Sequence, residues 1–569
     1  MIIKTKLDKL LDFKKITLKK ASEITKIDER TLEEILNRLE ATGILELFYP
    51  PIFFLPTMII LKEGQIKHEE KTKAKEGKII ESYEIKSKDK LYKSQVNIIE
   101  KNNEIIYNVD YPKPSFITEE YLKVMSEKLF LTIPLETVLI TEEEKKEKIY
   151  KKQIEKTLET VKDIVYNDED AYLLAGYVDA KSFGVGELEY LLIDPEIEEI
   201  CINNAFTPTI VYHRKYGWIK TNIKIDSEDE VLNLSSRIAR KSGRQITLLN
   251  PLLDANLKKG ERANATLYPI SIRGNTLTIR KFSEKPYTIP FLIKNGTLSY
   301  EMAALLWQAV ELEMNMLIVG GTASGKTTML NAIMMLMNRK HRIITIEDTR
   351  ELNLPETFEN YVALITRPPN PEGLGEIKLL DLMINSLRMR PDRIVVGEIR
   401  KKEEAIVLFE AMHTGHSCYS TFHADTAYIA VKRLTEEPIA LPFQELEVID
   451  LFITLRRDRK TGLRRVFEIG QFLSKDFATV TERIYVHRPR TDTFEYSGLP
   501  IKYKEKIALY TGMNEEEINK DLKEKEEILK YAVKNDIMET NAFINFINMY
   551  YEDKDFYEKI KKGKIKIKG

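Results

Sequence analysis

The chain has 569 residues, too many for one hydrophobic core, and its 88 Lys plus Arg nearly cancel its 89 Asp plus Glu, which argues against a surface built throughout to coat nucleic acid. Its two cysteines, Cys201 and Cys418, stand far apart in apolar, strand-like settings, so neither a disulfide framework nor a zinc module is on offer and a reducing cytosol fits. No run approaches the ~20 consecutive apolar residues of a membrane span, so a soluble protein is expected, one able to work beside a membrane.

Residues 1–50 read as a winged-helix-like module. Within 17–49 a short helix, a turn at Asp28 and a second helix with Leu32, Ile35, Leu36 and Leu39 on one stripe precede Gly43 and a strand. Winged helices often sit on DNA, yet Lys26, Arg30 and Arg38 here face Glu29, Glu33, Glu34 and Glu40, so protein docking or packing is the expected role. Residues 51–140 alternate short β-like runs with lysine-rich turns and read as a small β-rich domain without legible function. From Thr141 a helix with Glu and Lys at mutually supporting spacings reads as a solvated connector.

The connector leads into an α+β domain, and together they cover 141–282. IEEICINNAFTPTIVYHRKYGWIKTN supplies two strands about a polar turn, SEDEVLNLSSRIARKSG a helix begun at Ser227 and ended at Gly243, and ANATLYPISIRGNTLTIRKF a strand pair. Residues 283–299, with Pro286, Pro290 and Gly296, read as an interdomain linker. A motor domain is expected over 300–475 and a mostly helical extension over 476–569.

The chemistry sits in the motor domain. After the apolar run NMLIVG, GGTASGKTT places Gly320, Gly321, Thr322, Ala323, Ser324, Gly325, Lys326, Thr327 and Thr328 between a buried strand and a helix, the context a phosphate loop needs. Glycines let backbone N–H groups converge on phosphate, the helix N-terminus adds its positive end, Lys326 reaches the β and γ oxygens, and the Thr327 hydroxyl is suited to Mg²⁺.

Acids then end two further strands: Glu347 and Asp348 in HRIITIEDTREL, and Glu398 in RIVVGEIR. Carboxyl ends of parallel strands converge beside such a loop, where a metal shell and an attacking water would sit. Glu347 is read as preparing the water and Glu398 as organising the metal, with the two roles exchangeable. His423, after the buried run in HSCYSTFHADT, stands where it would sense the terminal phosphate, while His413 and His416 are left as packing residues.

Taken in order, GGTASGKTT, IITIEDTREL, LRMRPDRIVVGEIR and AMHTGHSCYSTFHAD resemble the phosphate loop, aspartate box, Walker B and histidine box of the type II/IV secretion ATPases. That superfamily includes pilus, archaellum and conjugation-type secretion motors. The resemblance spans about residues 176–475, and IEDTREL is more like the archaeal branch, since a proline commonly follows IED in bacterial relatives. Lys401 stands where relatives often place glycine, and the four-cysteine zinc module of some bacterial members is missing.

The resemblance implies an α/β fold with a RecA-like P-loop ATPase core behind a small α+β domain, ATP and Mg²⁺ as ligands, and a homo-hexamer. It also implies phosphoryl-stabilising arginines from the smaller domain, at Arg262 and Arg280, with Arg388 and Arg390 relaying nucleotide state between subunits. The expected work is assembly or export of pilin-like subunits through a polytopic membrane platform protein, from the cytoplasmic face of the membrane. A hexameric nucleic-acid translocase is the competing class; balanced charge makes nucleic acid the less expected partner.

Overall fold

The computed structural model describes residues 2–41, 45–48, 58–61, 77–131, 143–257, 260–282, 286–370, 373–458, 460–472 and 481–563. The chain forms two compact units, Met1–Lys281 and Phe282–Gly569.

The first unit begins with helices Leu18–Thr25 and Glu29–Ala41 and an antiparallel sheet in which Met58–Leu61 lies between Lys15–Thr17 and Leu45–Phe48, a winged-helix arrangement. Thr17 caps the first helix by accepting from Lys20 N at 3.3 Å, and Leu32, Ile35, Leu36 and Leu39 are buried on the predicted stripe. Gly43 lies outside the described residues. The flank of the second helix is ion-paired to the helix Phe116–Leu131: Arg38 forks onto Glu127 at 3.1 and 2.7 Å, and Lys128 Nζ lies 3.0 Å from Glu34.

Nine strands of this unit form one sheet. They are β1 Lys78–Lys86, β2 Lys93–Lys101, β3 Glu104–Asp110, β4 Ile197–Ile202, β5 Ile210–His213, β6 Gly217–Thr221, β7 Leu252–Asn256, β8 Arg262–Thr266 and β9 Thr276–Arg280, in the order β7-β8-β9-β4-β5-β6-β3-β2-β1. A separate β-rich domain over 51–140 was expected, but β3 pairs in parallel with β6 through Lys220↔Ile106 and Thr221↔Tyr107. The pairing satisfies backbone groups that two exposed sheet edges would leave open. The connector helix Glu143–Lys162 is also less solvated than its charge suggests, since Ile154 and Leu158 pack against the sheet's core and Val161 is buried in the winged-helix core.

The second unit is built on β10 Met316–Gly320, β11 Ile343–Glu347, β12 Tyr361–Ile365, β13 Arg393–Val396, β14 Ser417–Phe422 and β15 Leu451–Arg457, all parallel, with β16 Arg464–Phe472, β17 Thr481–Arg488 and β18 Thr493–Tyr496 added antiparallel. The order is β12-β11-β13-β14-β10-β15-β16-β17-β18. Every residue of β10, β11, β13 and β14 is buried, as a parallel sheet covered on both faces requires. The α/β class expected from sequence is the class observed.

Two boundaries differ from expectation. The segment read as a linker contains the helix Ile289–Lys294, capped by Thr288, with Ile289, Pro290, Leu292 and Ile293 buried; proline is tolerated in a first helical turn, where its missing N–H has no intrahelical partner to lose. The motor sheet also runs past residue 475 into β17 and β18. Beyond it the helices Tyr503–Thr511, Glu515–Lys534, Thr540–Glu552 and Phe556–Lys561 share one core with the helix Tyr300–Glu311. A buried ammonium pins them: Lys525 Nζ lies 2.7 Å from Glu311 Oε2, donates to Tyr550 Oη at 2.9 Å and also bonds Asp521. Among the described residues no helix is long and apolar enough to cross a membrane.

Candidate nucleotide site

β10 ends at Gly320, and a tight loop leads to the helix Lys326–Met334. A Cβ on Gly320 would lie 2.7 Å from Leu455 O, and Gly325 holds φ +100° at the helix cap, so both positions need glycine. Lys326 Nζ folds back onto the loop, donating to Gly320 O at 3.0 Å and Gly321 O at 3.2 Å. Burial lowers the Lys326 pKa against the opposing pull of Glu398 and Glu351. Ser324 Oγ is buried without a hydrogen-bond partner, and Arg464 Nε, from the start of β16, donates to Ala323 O at 3.1 Å. Thr328 is half-buried on the first helical turn.

The two glutamates of the IEDTREL stretch differ in exposure and in partners. Glu347, the last residue of β11, is 3% exposed. Its Oε1 accepts from Glu351 N and Leu352 N, each at 2.9 Å, and its Oε2 is buried without a partner. Burial pushes this carboxyl up to about 8 even though both N–H groups favour the ionised form. Gly397 allows the close approach, since a Cβ there would lie 3.1 Å from Glu347 Cγ. The exposed carboxylate beside the loop is instead Glu351, whose Oε2 accepts from Thr327 Oγ1 at 2.9 Å. Glu351 stands on an irregular loop past the strand end, where no periodicity in the sequence singles it out.

Glu398 follows β13 and accepts from Arg400 Nε at 2.8 Å and Nη2 at 2.5 Å, while Arg400 Nη1 stands 3.5 Å from Asp348 Oδ2. Its charge is felt by both Lys326 and His423. His423 lies 3.0 Å from Thr322 Oγ1 through Nε2, and its pKa is lowered by burial first and by Lys326 second. The loop behind it is anchored by Glu468, which accepts from Ala427 N at 3.0 Å and Thr454 Oγ1 at 3.2 Å.

Lys326, Thr327, Thr322, His423 and Glu398 therefore meet around one loop, joined by Glu351 and Arg464. Of the remaining candidates, Arg388, Arg390, His413 and His416 lie elsewhere in the second unit. Arg388 and Arg390 are exposed on the turn entering the amino end of β13, the opposite end of that strand from Glu398. In the first unit, Arg262 and Arg280 are direct cross-strand neighbours, and Arg262 forks onto Asp254 at 2.9 and 2.6 Å. His413 pairs with Glu445 at 2.9 Å, and His416 stays within its own turn beside Thr414.

The donor set suits Mg²⁺: a hydroxyl and a carboxylate are the hard oxygen ligands that ion takes, and Thr327, next to Lys326 at the start of the helix, and Glu398, whose charge Lys326 feels, supply one of each. The orphaned Ser324 Oγ is a second sign that the loop is built to receive polar atoms from outside. A glycine-shaped loop opening a helix beside converging acids defines a phosphate-loop nucleotide-binding protein.

Comparison with known proteins narrows the class. The family described as Type II/IV secretion system protein matches residues 211–443. PtlH, a type IV secretion system protein of Bordetella pertussis, is 32% identical over 303 residues, covering 48% of this chain and 88% of PtlH. Two uncharacterised Methanocaldococcus jannaschii proteins are also similar. MJ0900 is 34% identical over 378 residues, 65% of this chain and 68% of that protein. MJ0781 is 47% identical over 239 residues, 41% of this chain and 32% of that protein, so the match spans about a third of MJ0781's length. The chain belongs to the type II/IV secretion system ATPase superfamily.

Proposed function

We propose that this chain hydrolyses ATP with Mg²⁺ and uses the energy to assemble or export pilin-like subunits, working as a homo-hexamer against a polytopic platform protein at the cytoplasmic face of the cell membrane. The observation that carries the catalytic part is the meeting of Thr327 and Glu351 beside Lys326. Family membership and relatives named for secretion support the mechanical part.

In this reading the backbone N–H groups of Gly321–Thr328 receive the phosphates, and Lys326 exchanges the carbonyls of Gly320 and Gly321 for the β and γ oxygens. Thr327 and Glu398 would hold Mg²⁺, which would supply charge neutralisation to those oxygens. Glu351 orients the attacking water and takes its proton. Glu347, protonated and turned inward, fixes the loop that carries Glu351. His423 reports on the terminal phosphate through Thr322. Arg262 and Arg280 supply guanidinium charge to the transferring phosphoryl group, Arg262 leaving Asp254 to do so, and Arg388 and Arg390 pass the nucleotide state to a neighbouring subunit.

The test is ATP turnover by the purified chain with vesicles bearing a platform protein, and separately with single-stranded DNA. Stimulation by the vesicles and indifference to DNA is expected. DNA stimulation that falls steeply with salt would replace this reading with nucleic-acid translocation.

A further inference from the structure

Asn331 lies one helical turn beyond Thr327 on the helix that the phosphate loop opens, so the two side chains share a face. That face meets the loop following β11. Thr327 holds the Glu351 side chain, and Asn331 holds the main chain around it: Nδ2 donates to Glu351 O at 3.0 Å and Oδ1 accepts from Asn353 N at 2.8 Å. A carboxamide carries a donor and an acceptor in one plane, which answers a C=O and an N–H two residues apart. From the other side Glu347 Oε1 takes Glu351 N and Leu352 N. The N–H and C=O of Glu351 are thus both bonded to side chains, so its carboxylate moves only by side-chain rotation.

Asn331 is 5% exposed, and asparagine is a weaker helix former than alanine or leucine, either of which could occupy an apolar helix face there. The amide thus stands at a site where helix stability alone favours another residue. The Thr327 hydroxyl is also the group a phosphate loop offers to the metal of the nucleotide, so its bond to Glu351 is not the lasting constraint.

We infer that Asn331 is a positioning residue for hydrolysis, tying the phosphate-loop helix to Glu351 so that the carboxylate stays in register with the bound phosphates. The inference rests on Glu351 being the water-orienting group. A misplacement of about 1 Å at such a group lowers rates by roughly 100-fold.

The test uses the full chain with Asn331→Ala and, as a milder variant, Asn331→Asp, which keeps the acceptor for Asn353 N and loses the donor to Glu351 O. Each is combined with Glu351→Gln. Three quantities are read: binding of a fluorescent ATP analogue, kcat, and hydrogen exchange at Asn353 N in nucleotide-free protein. Asn331→Ala is expected to lower kcat by roughly tenfold or more with affinity changed less than about threefold, to add nothing in the Glu351→Gln background, and to speed exchange at Asn353 N. Asn331→Asp should give a smaller loss of kcat. An unchanged kcat in either variant, or the same fold-loss with and without Glu351→Gln, overturns the inference. Full activity in Glu351→Gln alone instead removes the reading beneath it, a separate outcome read from a separate variant.

Discussion

Thr327 donates its hydroxyl hydrogen to Glu351 Oε2 at 2.9 Å, which joins the first turn of the phosphate-loop helix to an exposed carboxylate on the loop that follows β11. Glu347, four residues earlier, is turned into the protein and bonded to backbone. In the proposed mechanism the chemistry falls to the glutamate that solvent reaches and the scaffolding to the one it does not.

Lys326 is the one cation within the loop sequence itself. Lys326→Ala should lower kcat/KM for ATP by roughly 100-fold or more while leaving the far-ultraviolet circular dichroism spectrum unchanged. Near-normal turnover in the folded variant would contradict the site.

The Glu347 carboxyl is pushed up to about 8, against an ordinary value of 4.5. Between those two values the folded protein holds a proton that the unfolded chain releases. Stability is therefore fully present below about 4.5, declines as pH rises, and has lost a few kcal/mol once pH passes about 8. Glu347→Gln is uncharged throughout and should lack this decline. Melting temperatures of both proteins from pH 6 to 9 check it, and parallel slopes would contradict it.

The frame of this site was legible because buried parallel strands read as apolar runs and their chemistry lies at the carboxyl ends, which brought out Lys326, Thr327, Glu398 and His423. Which of two glutamates faces water was not legible, because that depends on the loop folding back to present Glu351 N and Leu352 N to Glu347. Pro286 and Pro290 read as breaks, whereas Pro290 sits in a first helical turn. The β3 to β6 pairing was hidden because strand alternation looks the same whichever edge a strand meets.

Lys525 shows the same limit, since nothing in the charged run DLKEKEEILK sets it apart from its neighbours although its side chain is 1% exposed. Lys525→Met would leave Glu311 and Asp521 without their shared partner. Breaking such a pair costs about 3–5 kcal/mol, to be read from guanidinium unfolding followed by Trp307 fluorescence, whose ring lies 5.7 Å from Lys525 Nζ. A loss below about 1 kcal/mol would mean the extension does not depend on this ammonium.

Arg280→Ala should bind ATP almost normally and turn over on the order of 10³-fold more slowly, the scale of a stabilising arginine in phosphoryl transfer. Wild-type turnover in both Arg280→Ala and Arg262→Ala would remove the smaller domain's arginines from the mechanism.

The most direct measurement compares Glu351→Gln with Glu347→Gln at saturating ATP and Mg²⁺. Glu351→Gln should bind ATP yet hydrolyse it roughly 100-fold more slowly or worse, because the side chain facing water can no longer take a proton. Glu347→Gln should stay within about tenfold of the unaltered protein, since a glutamine oxygen still accepts from Glu351 N and Leu352 N. The reverse order, with Glu347→Gln inactive and Glu351→Gln near normal, would contradict the account.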